Sequence, residues 1–250
     1  HLIEVVVLEA LGYRVTVIGW QKFNVIYIHE VGKMDRLLVI GDIHGEYDQL
    51  QEVLKKADYD QKQDQLILVG DYIDRGNQSR KVVKSVRELV ENGAIALKGN
   101  HEDMAYNYAR KLETGQDVQD NLYFYNGGKK TLNCYSNTDK FIEDAKWLYQ
   151  LPNKHVIEGE YIFVHAGLKP GIDLSEQKPN DLLWIREEFF YHNWDQDENI
   201  NETIVAGHTP VHEVQFLPQV IMIDTGAGKG GYLSLLDLTN DKIFKAGTYY

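Results

Sequence analysis

From Leu37 onward, apolar and polar positions come in ordered blocks. Leu37 to Ile40 is an apolar run of strand length that stops at Gly41. After Gly45, Tyr47, Leu50, Val53, Leu54 and Ala57 fall at helical spacing with charged residues opposite. Leu66 to Val69 reads as a second strand ending in Gly70. Asn77 to Asn92 reads as a helix that turns Val82, Val83, Val86, Leu89 and Val90 inward and stops at Gly93. Ala94 to Leu97 is a third strand, running into Gly99. Three strand-glycine-helix units in succession predict βαβ construction and a largely parallel sheet.

The second half has a different pattern. Residues 103–150 are tyrosine-rich and weakly periodic, predicting helices and loops broken at Asn126-Gly127-Gly128. Strands return at Tyr161 to Val164, Thr203 to Ala206, Val220 to Ile223 and Tyr232 to Leu238, mostly without intervening helices. That order predicts a second, more antiparallel sheet packed on the first. Repeats and low-complexity tracts are absent.

Residues 1–33 stand apart. Three acidic residues (Glu4, Glu9, Glu30) and three basic ones (Arg14, Lys22, Lys33) leave them net neutral, so the formal charge of -12 lies on residues 34–250. The expected organisation is an N-terminal extension over 1–33, with Met34 as natural start, and one domain over 34–250. The other reading of the extension is an added β-hairpin from Val5 to Leu8 and Val25 to Ile28.

The 250 residues are 43% hydrophobic and 26% charged, enough for a full-sized core. The acidic balance argues against partners held by phosphate neutralisation, so neither nucleic acid nor a membrane surface is expected. No stretch approaches the roughly 20 apolar residues of a membrane span. Cys134 is the single cysteine, which excludes an internal disulfide framework. A soluble, cytoplasmic protein is expected; oligomeric state leaves no mark in the sequence.

The chemistry gathers just after the strands. In order, the blocks are Gly41-Asp42-Ile43-His44-Gly45, Gly70-Asp71-Tyr72-Ile73-Asp74-Arg75-Gly76, Gly99-Asn100-His101-Glu102, His165-Ala166-Gly167 and Gly207-His208-Thr209-Pro210. Strand ends are where α/β proteins place their sites. Asp42 and His44, two apart on an extended segment, leave on one side and can close on one ion. Carboxylate with imidazole suits Mn, Fe or Zn better than calcium. Asp71 has two oxygens with which to bridge; Asn100, His165 and His208 complete six ligands for two ions. That is the donor set of a two-metal hydrolytic site, whose ions sit roughly 3.5–4 Å apart. Any single block is as readily a turn or a hydrogen-bonded histidine; five in order, each after an apolar run, are not.

The first three blocks resemble the signature of the phosphoprotein phosphatase family within the calcineurin-like metallophosphoesterases. With His165-Ala166-Gly167, Leu183-Trp184-Ile185-Arg186-Glu187, Gly207-His208-Thr209-Pro210 and Ile223-Asp224-Thr225-Gly226, the chain is most similar to the small bacterial and bacteriophage lambda type. The resemblance spans about Leu37 to Leu238 and is weak over 103–150. It implies an α/β/β/α sandwich of two mixed sheets flanked by helices, with 103–150 shaping the substrate cleft. It also implies that Asp42, His44 and Asp71 hold one metal, and Asp71, Asn100, His165 and His208 the other, Mn2+ first. His101 is then the general acid, Asp74 orients it and raises its pKa, and Arg75 and Arg186 grip phosphoryl oxygens. Attack comes from a hydroxide held between the metals, without a covalent phosphoenzyme.

Competing structural roles remain open. Arg75 could pair with Asp71 or Asp74, and Arg186 could pair with Glu187 on a surface helix. Asp224 reads as hydrogen-bonding support; His29, His155, His192 and His212 read as surface or packing residues, and Cys134 has no evident role. Nucleases and cyclic-nucleotide phosphodiesterases of the superfamily carry a histidine where this chain has Pro210. Symmetrical diadenosine tetraphosphatases usually lack the aspartate matching Asp74. The resemblance therefore implies a serine/threonine protein phosphatase acting on phosphoproteins or small phosphate esters. A dinucleoside polyphosphate hydrolase is the alternative, and a metal-bound, inactive phosphate-recognition scaffold the third reading.

Overall fold

The computed structural model describes residues 13–17, 28–33, 35–116 and 121–247. Its strands are β1 (Tyr13–Val17), β2 (Ile28–Lys33), β3 (Arg36–Ile40), β4 (Asp64–Leu68), β5 (Ile95–Ala96), β6 (Lys154–Ile157), β7 (Tyr161–Val164), β8 (Thr203–Ala206), β9 (Gln215–Leu217), β10 (Val220–Met222), β11 (Leu233–Asp237) and β12 (Lys242–Ala246). Its helices are α1 (Tyr47–Lys56), α2 (Ser79–Glu91), α3 (Asn100–Thr114), α4 (Asn121–Tyr125), α5 (Gly128–Asn133), α6 (Thr138–Tyr149), α7 (Pro179–Trp184) and α8 (Glu187–Phe190). One five-stranded sheet has the order β12-β11-β3-β4-β5 and the other β6-β7-β8-β10-β9.

Alternation along the strands builds three apolar layers. In β3, Leu38 and Ile40 join Leu50, Val53, Val82, Val86, Met104 and Phe141 of the helices, while Val39 between them joins the opposite face. There Val39, Ile67 and Leu236 of the first sheet meet Phe163, Val205 and Ile221 of the second. Beyond the second sheet, Ile162, Val164, Ile204 and Ala206 pack on Leu182, Phe189 and Trp194. The result is an α/β/β/α sandwich. Central strands buried on both faces read as continuous apolar runs because each face has its own partner layer.

Two expectations about the second half are corrected. The strand expected at Tyr232 to Leu238 does not enter the second sheet: β11 pairs antiparallel with β3, Leu236 opposite Val39, and lies between β3 and β12. A continuous apolar run records burial on both faces but not its hydrogen-bonding neighbour. The second sheet is also less antiparallel than expected, for β7, β8 and β10 run parallel and only edge strands β6 and β9 are antiparallel. Parallel neighbours need a crossover, and α7 and α8, too short to show a period, lie within the β7–β8 connection. Strands β6 and β12 escaped notice because these half-exposed edges carry lysine at their first positions.

β1 and β2 form a separate antiparallel pair, Tyr13 opposite Lys33. Of the hairpin expected from Val5 to Leu8 and Val25 to Ile28, only Ile28 lies within the described residues, as does none of Met34. No helix of the described residues is long and apolar enough to cross a membrane.

Candidate metal centre and active site

The five blocks occupy one crevice because their strands end on the same side of the sandwich. Asp42 and His44 follow β3, Asp71, Asp74 and Arg75 follow β4, and His165 and His208 follow β7 and β8. Asn100 and His101 do not extend a strand; they form the first turn of α3, directly after Gly99. Five of these side chains stand on backbone in the left-handed region: His44 (φ 48°), Asp71 (53°), Asp74 (72°), Arg75 (63°) and His208 (62°). Such conformations cost of order 1–3 kcal/mol each and persist where the surrounding structure holds them in place.

Asp71 is the centre of the arrangement. Its Oδ2 lies 3.5 Å from His44 Nε2 and its Oδ1 lies 3.4 Å from His165 Nε2. One carboxylate thus faces two histidine clusters with different oxygens. His44, Asp71 and His101 form one cluster and Asp71, His165 and His208 the other, all buried. Asp42 lies at the edge of the first, with Oδ2 4.0 Å from His44 Nε2, and accepts from the His208 N–H.

The hydrogen bonds aim bare lone pairs inward. His44 Nδ1 meets the carbonyl of Ile73 at 2.9 Å and His165 Nδ1 that of Val69 at 3.0 Å. A carbonyl can only accept, so each Nδ1 carries the proton and each Nε2 a lone pair, which at His44 accepts from the Arg75 guanidinium. His165 Nε2 then confronts Asn100 Oδ1 at 3.0 Å, and His208 Nε2 is buried without a partner. Acceptors converging on acceptors, with an orphaned imidazole nitrogen, fit divalent cations lying between them. Burial holds the His44, His165 and His208 imidazoles below their usual range, His208 to about 2, keeping them neutral as ligation requires. For Asp71 burial pushes upward, but His165, His101, His44 and His208 outweigh it and keep the carboxylate ionised. Burial, then Asp224 and Asp71, raise Asp42, a cost that a bound cation would remove.

His101 is oriented from its far side. Its Nδ1 is 2.6 Å from Asp74 Oδ2, and its Nε2 faces the centre, 3.8 Å from Asp71 Oδ2. Burial lowers its pKa, but Asp71 and the Asp74 hydrogen bond together raise it above the ordinary histidine value. Arg75 bonds the ring nitrogens of His44 and His101, not Asp71 or Asp74. Arg186 reaches the His208 carbonyl and the Thr209 hydroxyl, both at 3.3 Å, and not Glu187. The two guanidiniums therefore lie against the histidines of the centre, one from each half of the chain.

Three contributors were given no role at the site by the sequence reading. Glu102, fully buried, accepts the N–H groups of Asp71, Tyr72 and Gly99, each at 2.9 Å, and so fixes the loop that presents Asp71. Burial, then Asp71, raise its carboxyl to about 8 against the pull of those N–H donors. Its position, three after Gly99 at a helix start, was the available signal, because that is where an acidic side chain reaches back to orphan N–H groups. Thr131 of α5 gives its hydroxyl to Asp74 Oδ1 at 2.5 Å and accepts the Asp74 N–H at 2.8 Å. Gly127 presses on Arg75: at φ 99° its absent Cβ would stand 2.8 Å from the Arg75 nitrogen. Neither contact, 50 or more residues away, leaves a local pattern.

The remaining residues match modest roles. Asp224 Oδ1 accepts the Gly226 N–H, while burial raises its carboxyl to about 6 and its Oδ2 is unpartnered. His155 stacks on Phe163, His192 bonds Asp197, and Cys134 Sγ bonds the carbonyls of Asn77 and Lys130.

Comparison with known proteins agrees with this geometry. Bis(5'-nucleosyl)-tetraphosphatase PrpE [asymmetrical] of Bacillus cereus is 29% identical over 228 residues, covering 78% of this chain and 87% of that protein. Serine/threonine-protein phosphatase 1 of Salmonella typhimurium is 31% identical over 207 residues, covering 79% and 89%. A solved structure provisionally described as a diadenosine tetraphosphatase superposes with a TM-score of 0.64 at 24% identity, covering 86% of this chain and 94% of that one. The family model for calcineurin-like phosphoesterase matches residues 35–235, and the chain belongs to that family.

Proposed function

We propose that the chain hydrolyses phosphate esters or anhydrides with two divalent ions, manganese being the first choice, held by Asp42, His44, Asp71, Asn100, His165 and His208. The observation that carries this reading is the pair of Asp71 oxygens, each turned to a different buried histidine cluster. When bound, such ions activate a water and neutralise charge on the phosphoryl group. The protein supplies the rest. Arg75 and Arg186 orient the phosphoryl oxygens from opposite halves of the chain, with forks matched to that geometry. Once Arg75 has turned from His101 Nε2 to the phosphoryl oxygens, His101 donates a proton to the departing oxygen through that nitrogen, and Asp74, itself held by Thr131, keeps the ring in register and favours its protonated form. Glu102 fixes the backbone from which Asp71 projects.

Two substrate classes are compatible with this machinery. The similarity to the Salmonella phosphatase supports phosphoserine and phosphothreonine proteins. The similarity to the asymmetrical tetraphosphatases supports dinucleoside polyphosphates, and Asp74 does not discriminate here, because its presence argues only against symmetrical enzymes. Steady-state kinetics on phosphoserine, phosphothreonine and phosphotyrosine peptides and on diadenosine tetraphosphate, with chelator and with Mn2+, test the reading. Metal-dependent turnover of at least one class is expected. Phosphate binding with no turnover of any would establish the scaffold reading instead.

A further inference from the structure

Beside the centre stands a cation that the reaction outlined above does not use. Lys229 closes a short helical turn, Ala227–Lys229, bounded by left-handed glycines Gly226 (φ 76°) and Gly230 (φ 83°). The turn is tied down at several points. Gly226 donates to Asp224 Oδ1 at 2.9 Å, the Gly226 carbonyl accepts from Lys229 and Gly231, and Ala227 is buried. Gly228 lies flat on a metal-ligand residue: a Cβ there would stand 2.4 Å from His44 Cβ. The lysine next to it thus springs from backbone packed on the metal centre.

Its side chain is exposed and lies within electrostatic reach of Arg75, Arg186, Asp42 and Asp224. Among the described residues its ammonium makes no hydrogen bond or ion pair. Partial desolvation at its base, then repulsion by Arg75, lower its pKa against the pull of Asp224. Asp224 and Asp42 act in the opposite sense, but among the described residues none of Arg75, Arg186 and Lys229 forms an ion pair, which leaves room for an anion among the three. Two arginines and two metal ions already match the oxygens of one phosphoryl group. Lysine is a mobile point charge and suits a neighbouring phosphate whose position need not be fixed.

We propose that Lys229 is a substrate-binding residue that takes the phosphate adjacent to the one being cleaved, so that the site favours substrates with a chain of phosphates over isolated monoesters. This rests on the phosphoesterase reading above and assigns it a substrate class, the dinucleoside polyphosphates.

The test compares the metal-loaded full chain with Lys229→Gln and Lys229→Arg, using diadenosine tetraphosphate and para-nitrophenyl phosphate. The loss of kcat/KM on Lys229→Gln should be about tenfold greater for the tetraphosphate, as for one charge-assisted hydrogen bond, and appear mainly in KM. Lys229→Arg should recover most of it. Equal losses on both substrates, or none on the tetraphosphate, overturn the proposal. Turnover of para-nitrophenyl phosphate without any of the tetraphosphate overturns it while leaving the phosphoesterase reading intact. Turnover of neither sinks that reading, and binding then decides on Lys229 separately. By calorimetry, inorganic triphosphate should bind the unaltered chain about tenfold more tightly than Lys229→Gln, with a smaller difference for orthophosphate. Equal triphosphate affinities would dispose of the role.

Discussion

Asp74 Oδ2 stands 2.6 Å from His101 Nδ1, both residues buried, one on the loop after β4 and the other in the first turn of α3. This contact leaves His101 Nε2 as the face turned to the centre, although His101 adjoins Asn100 in sequence. The proposed ligand Asn100 and the proposed proton donor His101 therefore lie side by side in the chain with opposite duties.

His101→Asn should lower kcat by about 10²–10⁴ while both metals stay bound. The loss should be larger for an alkyl phosphate, whose leaving oxygen needs a proton, than for para-nitrophenyl phosphate. Asp74→Asn should show the same leaving-group bias at smaller amplitude. Metal loss from His101→Asn by elemental analysis, or equal losses on both substrates, would contradict the assignment.

Asp71→Asn should weaken both ions together, since one carboxylate faces both clusters. Loss of even an outer-shell partner costs about 10–100-fold in metal affinity, and the bridging oxygen should cost at least that. Equilibrium dialysis against manganese gives the stoichiometry; loss of one ion alone would rule out bridging.

Glu102→Gln should destabilise the protein without touching substrate. The two carboxyl oxygens accept three buried N–H groups, Oε2 two of them and Oε1 one, and an amide nitrogen in place of either oxygen turns a donor toward at least one of these N–H groups. The expected cost is about 1–3 kcal/mol. That should lower the thermal midpoint by roughly 2–4 °C per kcal/mol for a chain of this size. An unchanged midpoint would mean that the Asp71 loop is held by something else.

Removing residues 1–33 should leave metal-dependent turnover intact. Both five-stranded sheets and every assigned side chain lie between Arg36 and Ala246, and among the described residues β1 and β2 pair only with each other. An insoluble or inactive truncation would show that the segment is part of the working fold.

Much of this protein could be read from local pattern. The runs Leu37 to Ile40 and Leu66 to Val69 are apolar throughout because each strand is covered on both faces, and that leaves a mark in the sequence whatever covers them. The site blocks were equally legible: ligand-type residues beside glycine at strand ends form a local motif, and five such motifs rarely occur in one chain for unrelated reasons.

By itself, then, the sequence determined the strand-and-helix alternation and the candidate ligand types and their order, because backbone preference and donor chemistry are properties of neighbouring residues. Tertiary structure alone decided the rest. It put β11 beside β3, turned the two oxygens of Asp71 to different clusters, and set Glu102, Thr131 and Lys229 around the centre. Pairing partners, burial and the direction of a lone pair depend on groups tens to hundreds of residues apart, and no local pattern records a distance between them.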